Sequence, residues 1–197
     1  MHPFLLATND LTCYYQIDFE KRKLHDEGND CLLSVDSTDC PIEEKGKKWY
    51  SHMFKKPGVR YEVGVRIKTS DICWIKGPLP CGEFPDLTIF RMALKHCLVN
   101  NERVEADLGY RGENPDPDKV KTPGPLYMDE KYVAMKSNVA SHHETVNKCL
   151  KQYNCLMQQF QHGIAKHAAC FRGVAVLAQL AIEHGEPLYQ VEYSDNY

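Results

Sequence analysis

Apolar positions along this chain change period several times, and each change marks an element. The run Cys-Leu-Leu-Ser-Val at 31–35 predicts a short buried strand that ends at Asp36, which sets that carboxylate at the mouth of a sheet. Residues 61–68 (Tyr-Glu-Val-Gly-Val-Arg-Ile-Lys) alternate apolar and polar, as a half-exposed strand should, and Ile-Cys-Trp-Ile at 72–75 follows closely enough to complete a hairpin. Residues 77–82 (Gly-Pro-Leu-Pro-Cys-Gly) read as a rigid turning loop, because proline fixes one dihedral and glycine permits unusual ones. That loop delivers the chain to Pro85 and Asp86. From there Leu87, Ile89, Phe90, Ala93, Leu94, Cys97 and Leu98 recur at helical spacing and predict a helix over 87–98 with Asp86 at its start. A carboxylate at that point also serves as an N-cap for free backbone donors.

Residues 103–106 predict a fourth short strand, closed by Asp107-Leu-Gly-Tyr-Arg-Gly. Residues 114–125, rich in Pro, Asp and Lys, read as an exposed insertion without regular structure. The segment 130–153 lacks Pro and Gly and puts Val139, His143, Val146 and Leu150 on one helical face with Glu144 beside them. A second long helix, about 164–184, ends at Gly185 with Pro187 beyond. Strands first, then a helix, a strand and two helices, predict an α/β fold with a mixed sheet flanked by helices. The first thirty residues are polar, with the end of a helix at 20–23, and read as a truncated, poorly defined lead-in. One domain is expected over 31–193, with a loop insertion at about 113–125.

Composition narrows the class. The chain has 197 residues, 43% hydrophobic and 26% charged, enough for one domain with its own core. Nine cysteines form no Cys-x-x-Cys pair and their number is odd, so they read as reduced thiols, several of them in the core. The apolar run at the N-terminus is short for a signal peptide and nothing later reaches the length of a membrane span, so the expected setting is intracellular, without membrane. His142, His143, His162 and His167 match no zinc spacing. Trp49 and Trp74, with Tyr50, Tyr61 and Tyr110, suit packing better than base stacking.

A net charge of −3 argues against a dedicated nucleic-acid coat but not against an enzyme acting on DNA, whose core gathers carboxylates while local basic patches grip phosphates. Two such patches stand in the sequence: Lys45, Lys47 and Lys48, then Lys55, Lys56 and Arg60. A solvated lysine-rich loop explains them equally well. The chemistry-bearing residues are Asp36, Asp86 and Glu144, since carboxylates drawn from distant segments are what hard divalent cations need. A pair of such cations is a common device for cutting phosphodiesters. Asp39 is a rival to Asp36 that reads better as a turn former.

Several segments taken together resemble the catalytic domain of Harbinger-like DDE transposases, the DDE superfamily endonucleases, over about residues 31–193. They are Val35-Asp-Ser-Thr-Asp39, the stretch from Trp49 to Glu62, Gly77-Pro-Leu-Pro-Cys-Gly-Glu-Phe-Pro-Asp-Leu-Thr-Ile-Phe-Arg91, Ala106-Asp-Leu-Gly-Tyr-Arg-Gly112, and His143-Glu-Thr-Val-Asn-Lys-Cys-Leu-Lys151. The resemblance implies an RNase H-like fold and a metal-dependent nuclease or hydrolase for DNA transposition. It makes Asp36, Asp86 and Glu144 the catalytic, metal-binding triad for two Mg²⁺ or Mn²⁺ ions, supported by Asp39 and Asp107. It also implies a DNA-phosphate contact from Lys151, a nuclear setting, and a homo-oligomer or a separate DNA-binding protein as partner; Lys47, Lys48, Lys55, Lys56, Arg60 and Lys148 are the further candidates for DNA contact. Lys151 lies about two helical turns past Glu144.

The chain departs from that pattern where Ala140, Ser141, His142 and His143 replace arginines, and where Ser37 replaces a glycine. Fewer arginines weaken the grip on phosphate. The alternative is therefore a decayed or domesticated relative that binds DNA or protein without cutting.

Overall fold

The computed structural model describes residues 17–24, 28–112, 114–123, 130–184 and 191–193. Its sheet is built around strand β3 (Lys56–Arg66), in which Val59, Tyr61, Val63 and Val65 alternate with residues of the opposite face. β3 pairs antiparallel with β1 (Cys31–Pro41), with the short β2 (Tyr50–Ser51) and with β4 (Ile72–Pro80). On the other flank of β1 runs β5 (Arg103–Ala106), parallel to it, and then β6 (Val120–Lys121), parallel to β5. The order β2-β3-β1-β5-β6, with β4 also on β3, is a six-stranded mixed sheet.

Helices cover both faces. Helix α1 (Asp86–Met92) lays Leu87 and Phe90 against Leu33, Val35, Val104 and Tyr110 on one side. On the other, α2 (Glu130–Lys151), the single turn α3 (Asn154–Met157) and α4 (Ile164–His184) pack Val146, Leu150, Leu156, Phe171 and Val174 on the alternating face of β3. The arrangement is α/β, a mixed sheet flanked by helices, and is compatible with an RNase H-like fold. Among the described residues no helix is long and apolar enough to cross a membrane. Of the eight described cysteines, Cys31, Cys40, Cys73, Cys81 and Cys170 are buried.

Four expectations need correction. β1 does not end at Asp36 but runs on to Pro41, because β3 stays paired with it as far as Gly58; the polar residues Ser37, Thr38 and Asp39 hid the continuation. The proline-rich stretch at 77–80 is strand rather than loop. As an edge strand β4 needs fewer backbone donors, and a register shift between Arg60 and Glu62 absorbs Gly77 and Pro78. The helix expected over 87–98 breaks at Ala93 into α1 and a 3-10 turn at Leu94–His96, a distinction that hydrophobic spacing cannot draw because the two periods are close. The insertion holds β6, whose buried Val120 covers the flank of β5, while Asp116 ties it to Arg91 and Lys95. The helix stop at Gly185 and Pro187, and most of the lead-in, lie outside the described residues. The basic stretch at 20–23 forms a 3-10 turn, Phe19–Lys23, whose buried Arg22 pairs with Glu102.

Candidate active site

Asp36 is where one flank of the sheet opens. β5 pairs with β1 only as far as Val35 opposite Ala106, so the next residue on each strand, Asp36 and Asp107, emerge side by side while β3 still holds the far edge of β1. Asp107 then caps the 3-10 turn Leu108–Tyr110, accepting from the Gly109 amide at 2.8 Å. Asp86 arrives from the other direction as the first residue of α1, with Pro85 rather than Asp86 in the capping position.

Gly109 joins these acids. A Cβ built on it would lie 3.0 Å from Asp107 Oδ1 and 3.0 Å from Asp86 Oδ2, so the two carboxylates face each other across a position that has room for hydrogen only. Asp36, Asp86 and Asp107 thus share one neighbourhood. Burial, more than any charge, raises the Asp36 carboxyl to about 6; the negative fields of Asp107 and Asp86 add to the rise, and the Ser37 amide and Lys151 oppose it. Burial also raises Asp86, against the pull of Arg60.

Asp86 is only half free. Its Oδ1 accepts from Arg60 Nη1 at 2.9 Å, and Arg60 in turn grips the buried Asp39 with Nε at 2.7 Å and Nη2 at 3.0 Å. Ser51 Oγ donates to Asp39 at 2.6 Å and completes its shell. Asp39 is thus the anchor of an arginine rather than a turn former, and Arg60 spends its charge on carboxylates. Neither role is visible in a sequence, where the pair stand 21 positions apart.

Glu144 is placed differently. It lies on α2 with its side chain 67% exposed and its Oε1 3.1 Å from Lys148 Nζ. Asn147 reaches the site instead, donating from Nδ2 to Asp36 Oδ2 at 3.1 Å, while its own Oδ1 is buried without a partner. Glu144 is nevertheless on the rim, since Asn147 and Ala140 lie within about 60° of it around the helix, and both border Asp36 or the cavity next to it. That cavity, about 130 Å³, is bounded by Asp36, Asp107, Ala106, Val139, Ala140 and His143. His143 bonds Ser34 Oγ through Nδ1 at 2.8 Å and leaves Nε2 without a partner; burial drives its pKa down to about 3, so the ring is neutral.

Lys151 is half-buried on the same helix, and its charge acts on Asp36, whereas Lys148 is exposed. Lys47, Lys48, Lys55 and Lys56 are all exposed around β2, which is set on β3. Several other histidines and aromatics serve packing: His142 meets Ser70, His167 meets Tyr61, Tyr61 stacks on Phe171 at 3.7 Å, and Trp74 donates to the buried Glu62.

Sequence reasoning passed over Asn147 altogether and gave Asp107 a supporting place. A partial signal existed for Asp107: it directly follows the short strand expected over 103–106, but that this strand lies parallel beside the one that carries Asp36 comes from the fold.

The donors present are of the type that a hard cation takes. Asp36, Asp86 and Asp107, with one compensating arginine, on Asp86, make an oxygen-rich, net-negative neighbourhood. Among the described residues, no three His, Cys, Asp or Glu side chains are already drawn close enough to hold an ion between them. Comparison with family models, with curated proteins and with solved structures finds no match for this chain.

Proposed function

We propose that the chain is a metal-dependent endonuclease of the DDE transposase type, acting on DNA phosphodiesters. The observation that carries this reading is the register of β1 against β5, which sets Asp36 beside Asp107 at an opening of the sheet, with Asp86 Oδ2 facing the same point. Asp36 and Asp107 would hold the cation, with Asp86 Oδ2 facing Asp107 across Gly109 and Glu144 on the rim. A bound pair of Mg²⁺ or Mn²⁺ ions supplies Lewis acidity and a nucleophilic oxygen at neutral pH.

The protein's own groups do the rest. Arg60 fixes one oxygen of Asp86 and so aims the other. Lys151 brings positive charge toward a phosphate held near Asp36. The cavity walls, Ala106, Val139 and Ala140, keep bulk water from one side of the acids. A DNA substrate implies a nuclear setting and a separate DNA-reading partner or second copy.

The outward turn of Glu144 onto Lys148 favours a second reading, a transposase-derived module that binds DNA or protein without cutting. A plasmid-nicking assay with Mg²⁺ separates the two. Nicking by the wild type that is lost in Asp36→Asn and Asp107→Asn supports catalysis. No nicking by any of them leaves the binding module.

A further inference from the structure

A run of positive charge with no acidic residue inside it precedes the helix that carries Asp86. Between Lys45 and Arg60 there are six Lys or Arg residues and no Asp or Glu, in a chain whose net charge is −3. Arg60 is consumed by Asp39 and Asp86, which leaves five lysines. All five, Lys45, Lys47, Lys48, Lys55 and Lys56, are exposed, and none has an ion pair among the described residues.

They surround a stiff hairpin. β2 returns into β3 through His52–Lys55, closed by the Lys55 amide on Ser51 O at 2.9 Å, with Lys55 in the left-handed region at φ 54°. Ser51 Oγ accepts from the Met53 amide at 3.2 Å and donates to Asp39. On the inner side the Phe54 ring lies against Gly58, 2.5 Å from where a Cβ would stand, so only glycine lets it seat there. On the outer side Met53 is 70% exposed, beside Tyr50 at 40%, whose ring meets His52 edge-on at 5.2 Å. The 3-10 turn Lys47–Trp49 docks alongside, accepting from the Gly82 amide through Lys48 O at 2.8 Å, just before the chain reaches Asp86.

From this we infer that the hairpin 50–57, with the lysine-bearing turn before it, is a duplex-DNA clamp: the lysines grip phosphates on either side of a groove and Met53 enters between base steps as a wedge. The inference rests on the nuclease reading for its choice of polyanion. Lysines rather than arginines suit phosphates without bidentate base readout, so the grip is independent of sequence. One projecting apolar side chain between flanking cations is what a groove-inserting wedge needs, whereas a membrane surface asks for a broad apolar face. The tip is tied to the acids through Ser51, Asp39, Arg60 and Asp86, which keeps a fixed span between the wedge and the cleavage point.

The test is duplex binding in EDTA, where no cutting occurs, read by fluorescence anisotropy on a DNA of about 20 base pairs with 2-aminopurine at its centre. Wild type should bind with a steep salt dependence. The combined change of Lys47, Lys48, Lys55 and Lys56 to Ala should flatten the log–log salt slope by about 3 to 4, at roughly 0.9 for each phosphate no longer neutralised. Met53→Ser should lose the 2-aminopurine fluorescence rise that reports unstacking. An unchanged salt slope in the quadruple variant, an unchanged fluorescence rise in Met53→Ser, or binding to anionic vesicles in place of duplex overturns the inference. Lysine-dependent duplex binding without nicking in Mg²⁺ sinks the nuclease reading and sustains the clamp; nicking unaffected by the lysine changes does the reverse.

Discussion

The two faces of β1 carry carboxylates in opposite states. On one, Asp39 is buried at 2% exposure yet fully matched, with two bonds from Arg60 and one from Ser51. Burial pushes its carboxyl up, but those bonds outweigh burial and hold it below its ordinary value. On the other, Asp36 has an amide on each side, from Ser37 and Asn147, and no cation bonded to it, so burial wins and its pKa rises to about 6. Three positions separate them in sequence. The difference separates scaffold from site: a compensated carboxylate is bound into the fold, whereas an uncompensated one costs stability and is retained where charge has work to do.

Breaking the matched side should cost most. Arg60→Ala strands Asp39 as a buried charge and releases Asp86, and about 3 to 5 kcal/mol of stability should be lost. Urea denaturation at pH 7 measures it. A loss under about 1 kcal/mol would mean that water reaches Asp39 and that the two sides are alike.

The uncompensated side should respond with the opposite sign. In the folded chain Asp36 binds its proton more tightly than in the unfolded chain, because its pKa rises from 3.8 to about 6. Its contribution to stability is present in full below pH 3.8 and is lost as pH rises through 6. Asp36→Asn removes the charge, so at pH 7 the variant should be more stable by at most about 3 kcal/mol while losing all nicking. Chemical denaturation at pH 4 and pH 7 checks the sign: the gain should be present at the higher pH and nearly absent at the lower.

How far the sequence disclosed this contrast depends on the range of the interactions. Helix α4 and strand β5 were legible to the residue, since Ala- and Leu-rich periodicity and a short apolar run are local signals. Most of α2 was legible for the same reason. Asp86 stood out as the first residue of a helix, and Asp36 as an expected strand end, although β1 continues past it to Pro41. The Asp39–Arg60–Asp86 bridge was not legible, because it is made by antiparallel register, Asp39 opposite Arg60, with α1 folded back over the strand end. Asn147 was missed because helical periodicity singles out apolar faces, and an amide at their margin carries no pattern of its own.

A cation should act on one side only. Mg²⁺ at about ten times its dissociation constant should stabilise the wild type by about 1.4 kcal/mol through mass action, and Asp107→Asn should abolish the shift while Arg60→Lys retains part of it. Differential scanning fluorimetry with and without Mg²⁺ is sufficient. An equal shift in Asp107→Asn would move the ion away from the β1–β5 opening.

The smallest effect concerns Glu144, and it decides whether this residue belongs with either side. As it stands, Glu144 and Lys148 form an exposed pair four residues apart, a class worth about 0.2 to 0.5 kcal/mol. Lys148→Ala should therefore change stability by no more than that in the absence of metal. Glu144→Gln should do the same if the pair is all there is. If Glu144 swings over the rim past Asn147 when an ion binds, Glu144→Gln instead loses most of the Mg²⁺-induced shift, and Lys148→Ala increases it by freeing the carboxylate. The two variants measured side by side, with and without Mg²⁺, thus distinguish a surface ion pair from a third ligand held in reserve, because only a ligand makes the metal response of the two variants diverge.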